Sequence, residues 1–121
     1  MEIVSAETWN SGLRYATKSG IRVRSKIEKI IADFLFEEGI RFIYEPRLRV
    51  GDLNFRPDFY LPDYDIFYEH FGRTDAGYRA AAEAKTAAYQ KGGINFFYTT
   101  VEEELEIEDA IVDQLAVATL R

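Results

Sequence analysis

The most informative part of the chain is residues 56–72, which read RPDFYLPDYDIFYEHFG. Aromatic residues are frequent in this stretch, as they are in strands, and Pro62–Asp63 is a turn signal. We therefore predict a strand over Asn54–Leu61, a turn, and a second strand over Tyr64–Phe71 that ends at Gly72.

Two acidic residues occupy unusual places in this predicted hairpin. Asp58 follows Arg56-Pro57 inside the first strand, and Glu69 lies near the end of the second. Charged residues are poor choices for a strand interior unless they face water or a ligand. A turn centred near Pro62–Tyr64 allows the two acids to lie opposite each other. Two adjacent carboxylates repel without a cation, and carboxylate oxygens are ligands that Mg²⁺ prefers.

A helix is predicted upstream, over Ser25–Glu38. Ser25 is a suitable N-cap, Glu28 stands where a capping box requires an acid, and Gly39 ends the helix. Its apolar residues recur at helical spacing: Ile27, Ile30, Ile31, Phe34 and Leu35.

The remaining elements are predicted on either side of the hairpin. Ile40–Val50 is a strand, with Pro46 marking an edge or a bulge. Asp75–Lys91 is an alanine-rich helix, Ile94–Thr99 is a short buried strand, and Thr100–Leu120 is a last helical region. The order α-β-β-β-α-β-α predicts an α/β fold with a mixed sheet flanked by helices.

Composition excludes several classes of protein. The 121 residues contain no cysteine, which excludes disulfides, thiolate metal sites and a cysteine nucleophile. The single histidine, His70, excludes a site with several histidines from one chain. The first residues lack a signal-peptide pattern, and no apolar run approaches the roughly 20 residues of a membrane span. We therefore expect a soluble, cytoplasmic protein with no membrane partner, associated with the nucleoid if it binds DNA.

The charge is unevenly distributed along the chain. The formal net charge is −6, but residues 1–60 carry ten basic and nine acidic side chains, whereas residues 61–121 carry five and twelve. Such polarity is compatible with DNA on one side of the molecule, and equally with two solvated faces of opposite sign. The basic excess lies in Arg14, Lys18, Arg22, Arg24, Lys26 and Lys29.

The segment Arg56-Pro57-Asp58, followed by IFYEHFG over residues 66–72, resembles the active-site signature of the PD-(D/E)xK nuclease superfamily. The restriction-endonuclease-like core of that superfamily has the order αβββαβ, which matches residues 25–100. The resemblance therefore implies a nuclease-like domain over residues 25–121. Residues 1–24 would be an N-terminal extension, in which Glu7–Thr17 could form a short helix.

One position departs from the superfamily pattern. The usual lysine, two residues after the second acid, is replaced by Phe71. The Glu-His-Phe-Gly form is similar to a subgroup in which the lysine has moved to the following helix, found both attached to superfamily-one helicases and alone. Lys85 is our candidate because it shares a helix face with Tyr78 and Tyr89. Lys91, at the helix end, is the weaker candidate.

The resemblance implies a role for each residue. Asp58 and Glu69 would be direct ligands of Mg²⁺ (or Mn²⁺), and Glu28 would bind it through water or hold a second ion. The backbone carbonyl of His70 would complete the shell, while its side chain should face away. Lys85 would steady charge on the phosphate.

Other roles are open for the same residues. Glu28 could serve as a helix cap and nothing more. Asp58 could be an ordinary turn residue. Glu69 could form a structural salt bridge with Arg56 or Lys85. For contact with nucleic acid we select five residues, chosen for a guanidinium, an ammonium or an aromatic ring: Arg24, Lys26, Arg56, Tyr78 and Tyr89.

The resulting hypothesis is a metal-dependent DNA endonuclease or exonuclease that acts in repair, recombination or replication. A chain of this size has little surface for reading a long base sequence, so selectivity for branched, flap or single-stranded DNA is expected. A homodimer and a helicase are further candidate partners. Two alternatives are a catalytically inactive DNA-binding or helicase-associated module, and an assembly or regulatory domain without a nucleic-acid role.

Overall fold

The computed structural model describes residues 11–120, in two compact units that divide after Ile40. The predicted domain boundary between residues 24 and 25 stays a prediction. No helix within the described part of the chain is long and apolar enough to cross a membrane.

Within the described residues of the first unit, a hairpin of two short strands comes first, β1 (Tyr15–Ala16) and β2 (Arg22–Val23). The helix predicted over Glu7–Thr17 is therefore wrong for residues 11–17, and its first part lies outside the described residues. A turn favours the hairpin over the helix. Gly20 adopts φ +97°, and the Thr17 hydroxyl donates to the Ile21 carbonyl at 2.7 Å. These local bonds outweigh the short apolar spacing.

Helix α1 (Lys26–Glu37) forms where predicted. Ser25 caps it, accepting a hydrogen bond from the Glu28 backbone N–H at 3.2 Å. The Glu28 carboxylate accepts from the Arg24 N–H at 3.2 Å, one residue before the position that a capping box uses. Gly39, at φ +70°, ends the helix in a Schellman motif.

The second unit is built on a four-stranded mixed sheet with the order β3-β6-β7-β8. The first two pairs are antiparallel, and β7 and β8 are parallel. The predicted α/β class with a mixed sheet is confirmed. The four strands are β3 (Ile43–Tyr44), β6 (Phe59–Leu61), β7 (Ile66–Phe71) and β8 (Phe96–Thr100).

Two predicted strands are each broken in two. The segment 40–50 is interrupted at Glu45 (φ +49°) before Pro46, and the segment 54–61 is interrupted at Arg56-Pro57-Asp58. Proline cannot donate to a ladder, so each strand stops beside one. The intervening pieces, β4 (Leu48–Val50) and β5 (Leu53–Phe55), pair as a separate hairpin. Asp58 thus lies immediately before β6, and the prediction that it lies inside a strand is wrong.

Three further elements complete the second unit. Helix α2 (Ala76–Lys91) is capped by Asp75, and the parallel strand β8 follows it. A 3-10 helix (Val101–Glu106) then leads into α3 (Ile107–Thr119). The predicted cap at Thr100 is confirmed, as its backbone N–H donates to Glu103 at 2.9 Å.

The central strand β7 presents two different faces. On one, the Tyr68 ring stacks on Phe97 at 4.4 Å and lies 5.8 Å from Phe59, forming an aromatic layer in the core. Glu69, one residue on, points to the opposite face, where Tyr89 of α2 covers it. Alternation along one strand therefore separates Glu69 from the aromatic layer.

Candidate active site

Backbone N–H groups hold the carboxylates of Asp58 and Glu69 next to each other. The register pairs Phe59 with Tyr68, so Asp58 lies opposite Glu69 when it is continued by one residue. The Asp58 N–H donates to Glu69 Oε1 at 3.0 Å, and the His70 N–H donates to Asp58 Oδ2 at 2.7 Å. Each carboxylate is thus held by a backbone N–H of the segment that carries the other.

Glu69 is almost fully buried, with 2% of its surface exposed, and it has two further donors. Lys85 Nζ and the Tyr89 hydroxyl each lie 3.0 Å from Glu69 Oε2. Burying a carboxylate is costly unless it is paired and hydrogen-bonded. These donors satisfy that requirement, while Asp58 remains half-buried and reachable from solvent.

Helix α2 places Lys85 beside Glu69. Tyr78, Ala82, Lys85 and Tyr89 follow at steps of four, three and four, so they share one face of the helix. The Lys85 side chain is 33% exposed, and its amino group can therefore contact both Glu69 and a ligand in solvent. Lys91 is exposed in the last turn of the helix.

The tyrosines near the pair stay protonated. Burial, followed by the charge and hydrogen bond of Glu69, raises the pKa of Tyr89 well above its usual value. Burial also raises the pKa of Tyr78, with a smaller contribution from Asp58. Tyr78 is half-buried, edge-on to the Phe71 ring at 6.4 Å and beneath the Arg73 guanidinium at 5.2 Å.

Tyr89 does not fit its predicted contact with nucleic acid. Its side chain is fully buried, with its ring 5.2 Å from the rings of both Phe55 and Phe96. A ring enclosed in this way cannot stack on a base. Its hydroxyl instead orients Glu69, a role that its place on the Lys85 face of the helix could have indicated.

The His70 side chain lies on the face of β7 opposite to Glu69, as expected. Its Nδ1 is 2.8 Å from the Thr99 hydroxyl, its Nε2 is 3.1 Å from Glu104, and Thr99 is 2.6 Å from the Tyr68 hydroxyl. One arrangement gives every hydrogen an acceptor: Tyr68 donates to Thr99, Thr99 to Nδ1, and Nε2 to Glu104. These partners of His70 were not predicted, because Thr99 and Glu104 lie far from it in the sequence. A role for the His70 carbonyl as a metal ligand stays a prediction.

Four other residues were selected from the sequence, three in the first unit and one next to the pair along the chain. Glu28, Arg24 and Lys26 belong to the first unit. Arg24 is half-buried and Lys26 is exposed. Arg56, half-buried, immediately precedes Pro57 in the second unit. The catalytic role of Glu28 and the nucleic-acid contacts of the three basic residues stay predictions.

The donor set of the pair fits a hydrated, hard cation. Within residues 11–120 no three His, Cys, Asp or Glu side chains form a group that could hold a metal. A metal enclosed by protein ligands, such as structural zinc, therefore does not fit. Mg²⁺ is commonly held by one or two carboxylates, with water and substrate phosphates as the other ligands. Asp58 and Glu69 match that pattern.

Comparison with known proteins supports the fold. No protein-family model matches the sequence, and a search of curated proteins finds no match either. Among solved structures, the chain is similar to the catalytic domain of the homing endonuclease I-Bth0305I, with a TM-score of 0.53 and 16% sequence identity. The match covers 80% of this chain and 99% of that domain. The chain therefore has a nuclease-like α/β fold that resembles an endonuclease catalytic domain.

Proposed function

We propose that this chain is a metal-dependent DNA nuclease that hydrolyses phosphodiester bonds, with a preference for branched, flap or single-stranded DNA. The observation that carries the proposal is the group formed by Asp58, Glu69 and Lys85. Two carboxylates hydrogen-bonded across adjacent segments, with an ammonium 3.0 Å from one of them, are the groups that phosphodiester hydrolysis with a divalent cation requires.

Each residue then has a defined task. Asp58 and Glu69 would hold Mg²⁺ or Mn²⁺, which when bound supplies Lewis acidity to the phosphate and lowers the pKa of a bound water. Lys85, partly exposed, would donate to a phosphate oxygen as negative charge develops there. Tyr89 would keep the Glu69 carboxylate in place through its 3.0 Å hydrogen bond, without touching the substrate.

The proposed preference for DNA structure over long base sequences is an inference from the few side chains that these residues offer to bases. Discrimination between bases needs several side chains that reach base edges. Distorted or single-stranded segments can approach Asp58 at a smaller energetic cost, because their backbone is less constrained than that of a duplex.

A DNA-binding module without catalysis is the second candidate. It is favoured by the direct contact of Lys85 with Glu69, since an ion pair of this kind also stabilises a fold without any substrate. The absence of a third metal-ligating side chain beside the pair within residues 11–120 points the same way. In that case the chain would bind DNA as tightly as a nuclease would, and the DNA would remain intact.

Cleavage of a labelled DNA panel tests the proposal. Single-stranded, duplex, flap and four-way-junction substrates are incubated with the full chain and Mg²⁺ or Mn²⁺, with a chelator as control. The matched variant is Glu69→Gln, which keeps the shape of the side chain and can still accept from Asp58 N–H. We expect metal-dependent products from the parent and none from the variant.

The two candidates give different results in this experiment. Binding without products, by a parent protein that is folded by circular dichroism, would replace the nuclease with the binding module. Products that persist in Glu69→Gln would place the activity elsewhere or in a contaminant.

A further inference from the structure

The hairpin of β4 and β5 has two chemically different faces. Its register pairs Leu48 with Phe55 and Val50 with Leu53, and residues opposite each other lie on one face. That face is entirely apolar. The other carries the pair Arg49–Asn54 and, with the register continued by one residue, two more arginines. We call this the arginine face: Arg47, Arg49, Asn54 and Arg56.

The apolar face is fixed against the end of α2. The Phe55 ring lies edge-on to Tyr89 at 5.2 Å, and a side chain at Gly92 would overlap the Val50 side chain. These contacts orient the hairpin, so the arginine face is turned away from α2. Because Tyr89 also donates to Glu69, the hairpin is held at a fixed position relative to the candidate active site.

The arginine face carries three positively charged side chains in a chain whose net charge is negative. A shallow cavity of about 430 Å³ is lined by the four residues of this face together with Leu48 and Phe55, and by no acidic residue. Arg49 Nε donates to the Gly51 carbonyl at 3.0 Å, and Asp52, 3.8 Å from Arg49 Nη2, is fully exposed at the hairpin tip. An exposed pair of this kind contributes little and is screened by salt.

Two arginines of this face are placed to meet a ligand. Arg47 and Arg49 are both exposed, so their guanidinium groups can reach a phosphate backbone. Guanidinium is the side-chain group that best fits phosphate oxygens, because its N–H donors form a planar fork.

We propose that the arginine face binds the phosphate backbone of DNA next to the bond to be cleaved, without reading base sequence. This inference rests on the proposed function for its substrate. Arg56 lies two residues before Asp58, so DNA held by this face would pass the carboxylate pair. The contact positions the substrate, and the arginines take no part in the chemistry.

Binding measured without cleavage tests the inference. All proteins carry Asp58→Asn, so that DNA stays intact, and two labelled duplexes of unrelated sequence are titrated over about 50–200 mM salt. Arg47→Gln with Arg49→Gln should weaken binding about tenfold or more on both duplexes and reduce the salt slope by about 0.9 per lost contact. Arg41→Gln is the matched control, because its exposed guanidinium pairs with Asp63 at 2.5 Å elsewhere. It should change affinity less than about twofold.

A lysine variant separates phosphates from bases. Arg47→Lys with Arg49→Lys keeps both charges, so it should retain most of the affinity if phosphates are the ligand. A loss confined to one of the two duplexes, in either the glutamine or the lysine variant, would overturn the inference in favour of base reading in the major groove. Unchanged affinity in the glutamine variant would overturn it entirely.

Failure of the inference and failure of the proposed function are distinguishable. If the parent cleaves DNA while the glutamine variant binds normally, the inference fails and the nuclease stands. If the parent never cleaves while the glutamine variant loses binding, the arginine face stands and the nuclease fails.

Discussion

The two faces of β7 carry polar networks that differ in how many charged groups they contain. On the His70 face, hydroxyl and imidazole groups form a chain that ends at one carboxylate, Glu104. On the Glu69 face, two carboxylates accept hydrogen bonds from backbone N–H groups, and Lys85 pairs with Glu69. One strand thus supports two buried networks that begin at consecutive residues.

Under the proposed function, the His70 face has a structural role and the Glu69 face a catalytic one. Every group on the His70 face has a partner in the network, which is how buried polar groups normally stabilise a core. Two neighbouring carboxylates repel each other, and stability alone does not favour such a pair. Natural proteins accept this cost where a ligand later neutralises it. Substitutions on the two faces should therefore have different consequences.

The largest effect is expected from Asp58→Asn, on the Glu69 face. The amide keeps the shape and can still accept from the His70 N–H, but it removes the charge that would hold a cation. Cleavage should fall by about a thousandfold or more, while thermal unfolding changes little. Initial cleavage rates and melting curves on the same preparation check this. Cleavage within about tenfold of the parent would contradict a catalytic role for Asp58.

The next effect is expected from Lys85→Gln. Loss of its charge should lower the cleavage rate about a hundredfold, by removing one donor to the developing phosphate charge. Lys91→Gln, six residues along the same helix and exposed, is the matched control and should stay within about twofold of the parent. Equal losses in both variants would show that the two lysines act only through general charge on DNA binding.

On the opposite face, His70→Ala should affect stability and not chemistry. It removes the His70 partner of Glu104 and one of the two partners of Thr99, and it opens a cavity, so the free energy of unfolding should fall by about 2–3 kcal/mol. At a temperature where the variant is folded, cleavage should remain within about threefold of the parent. Denaturant unfolding and rate measurements test both parts. A large loss of rate in the folded variant would remove the distinction between the faces.

The smallest effect is expected from Tyr89→Phe. It deletes the hydrogen bond to Glu69 while keeping the ring between Phe55 and Phe96, and should cost about 1 kcal/mol of stability. Cleavage should fall only a few-fold, since Lys85 and Asp58 N–H still hold Glu69. The same denaturation and rate assays apply. A loss of rate as large as that of Lys85→Gln would show that the hydroxyl contacts the substrate.

Much of the site was predictable from the sequence, because its central pair sits in one hairpin. The turn at Pro62–Asp63 sets the register, and the register places Asp58 opposite Glu69. Pro57 is a signal that the strand is interrupted before Asp58. The aromatic residues of the stretch nevertheless favoured the prediction of one continuous strand. In the structure, the missing N–H of Pro57 has the larger effect.

Local signals in the sequence determined the ends of α1 and α2, the turn of the main hairpin and the alternation that separates Glu69 from His70. Such signals act within a few residues, through caps, proline geometry and side-chain period. Tertiary structure alone decided that Lys85 and Tyr89 reach Glu69, that His70 pairs with Thr99 and Glu104, and that the hairpin turns its arginines away from α2. The contacts of Glu69 and His70 join residues that are 16 to 34 positions apart, and none of these contacts is encoded locally. They depend on how helices and strands pack, which no short segment specifies by itself.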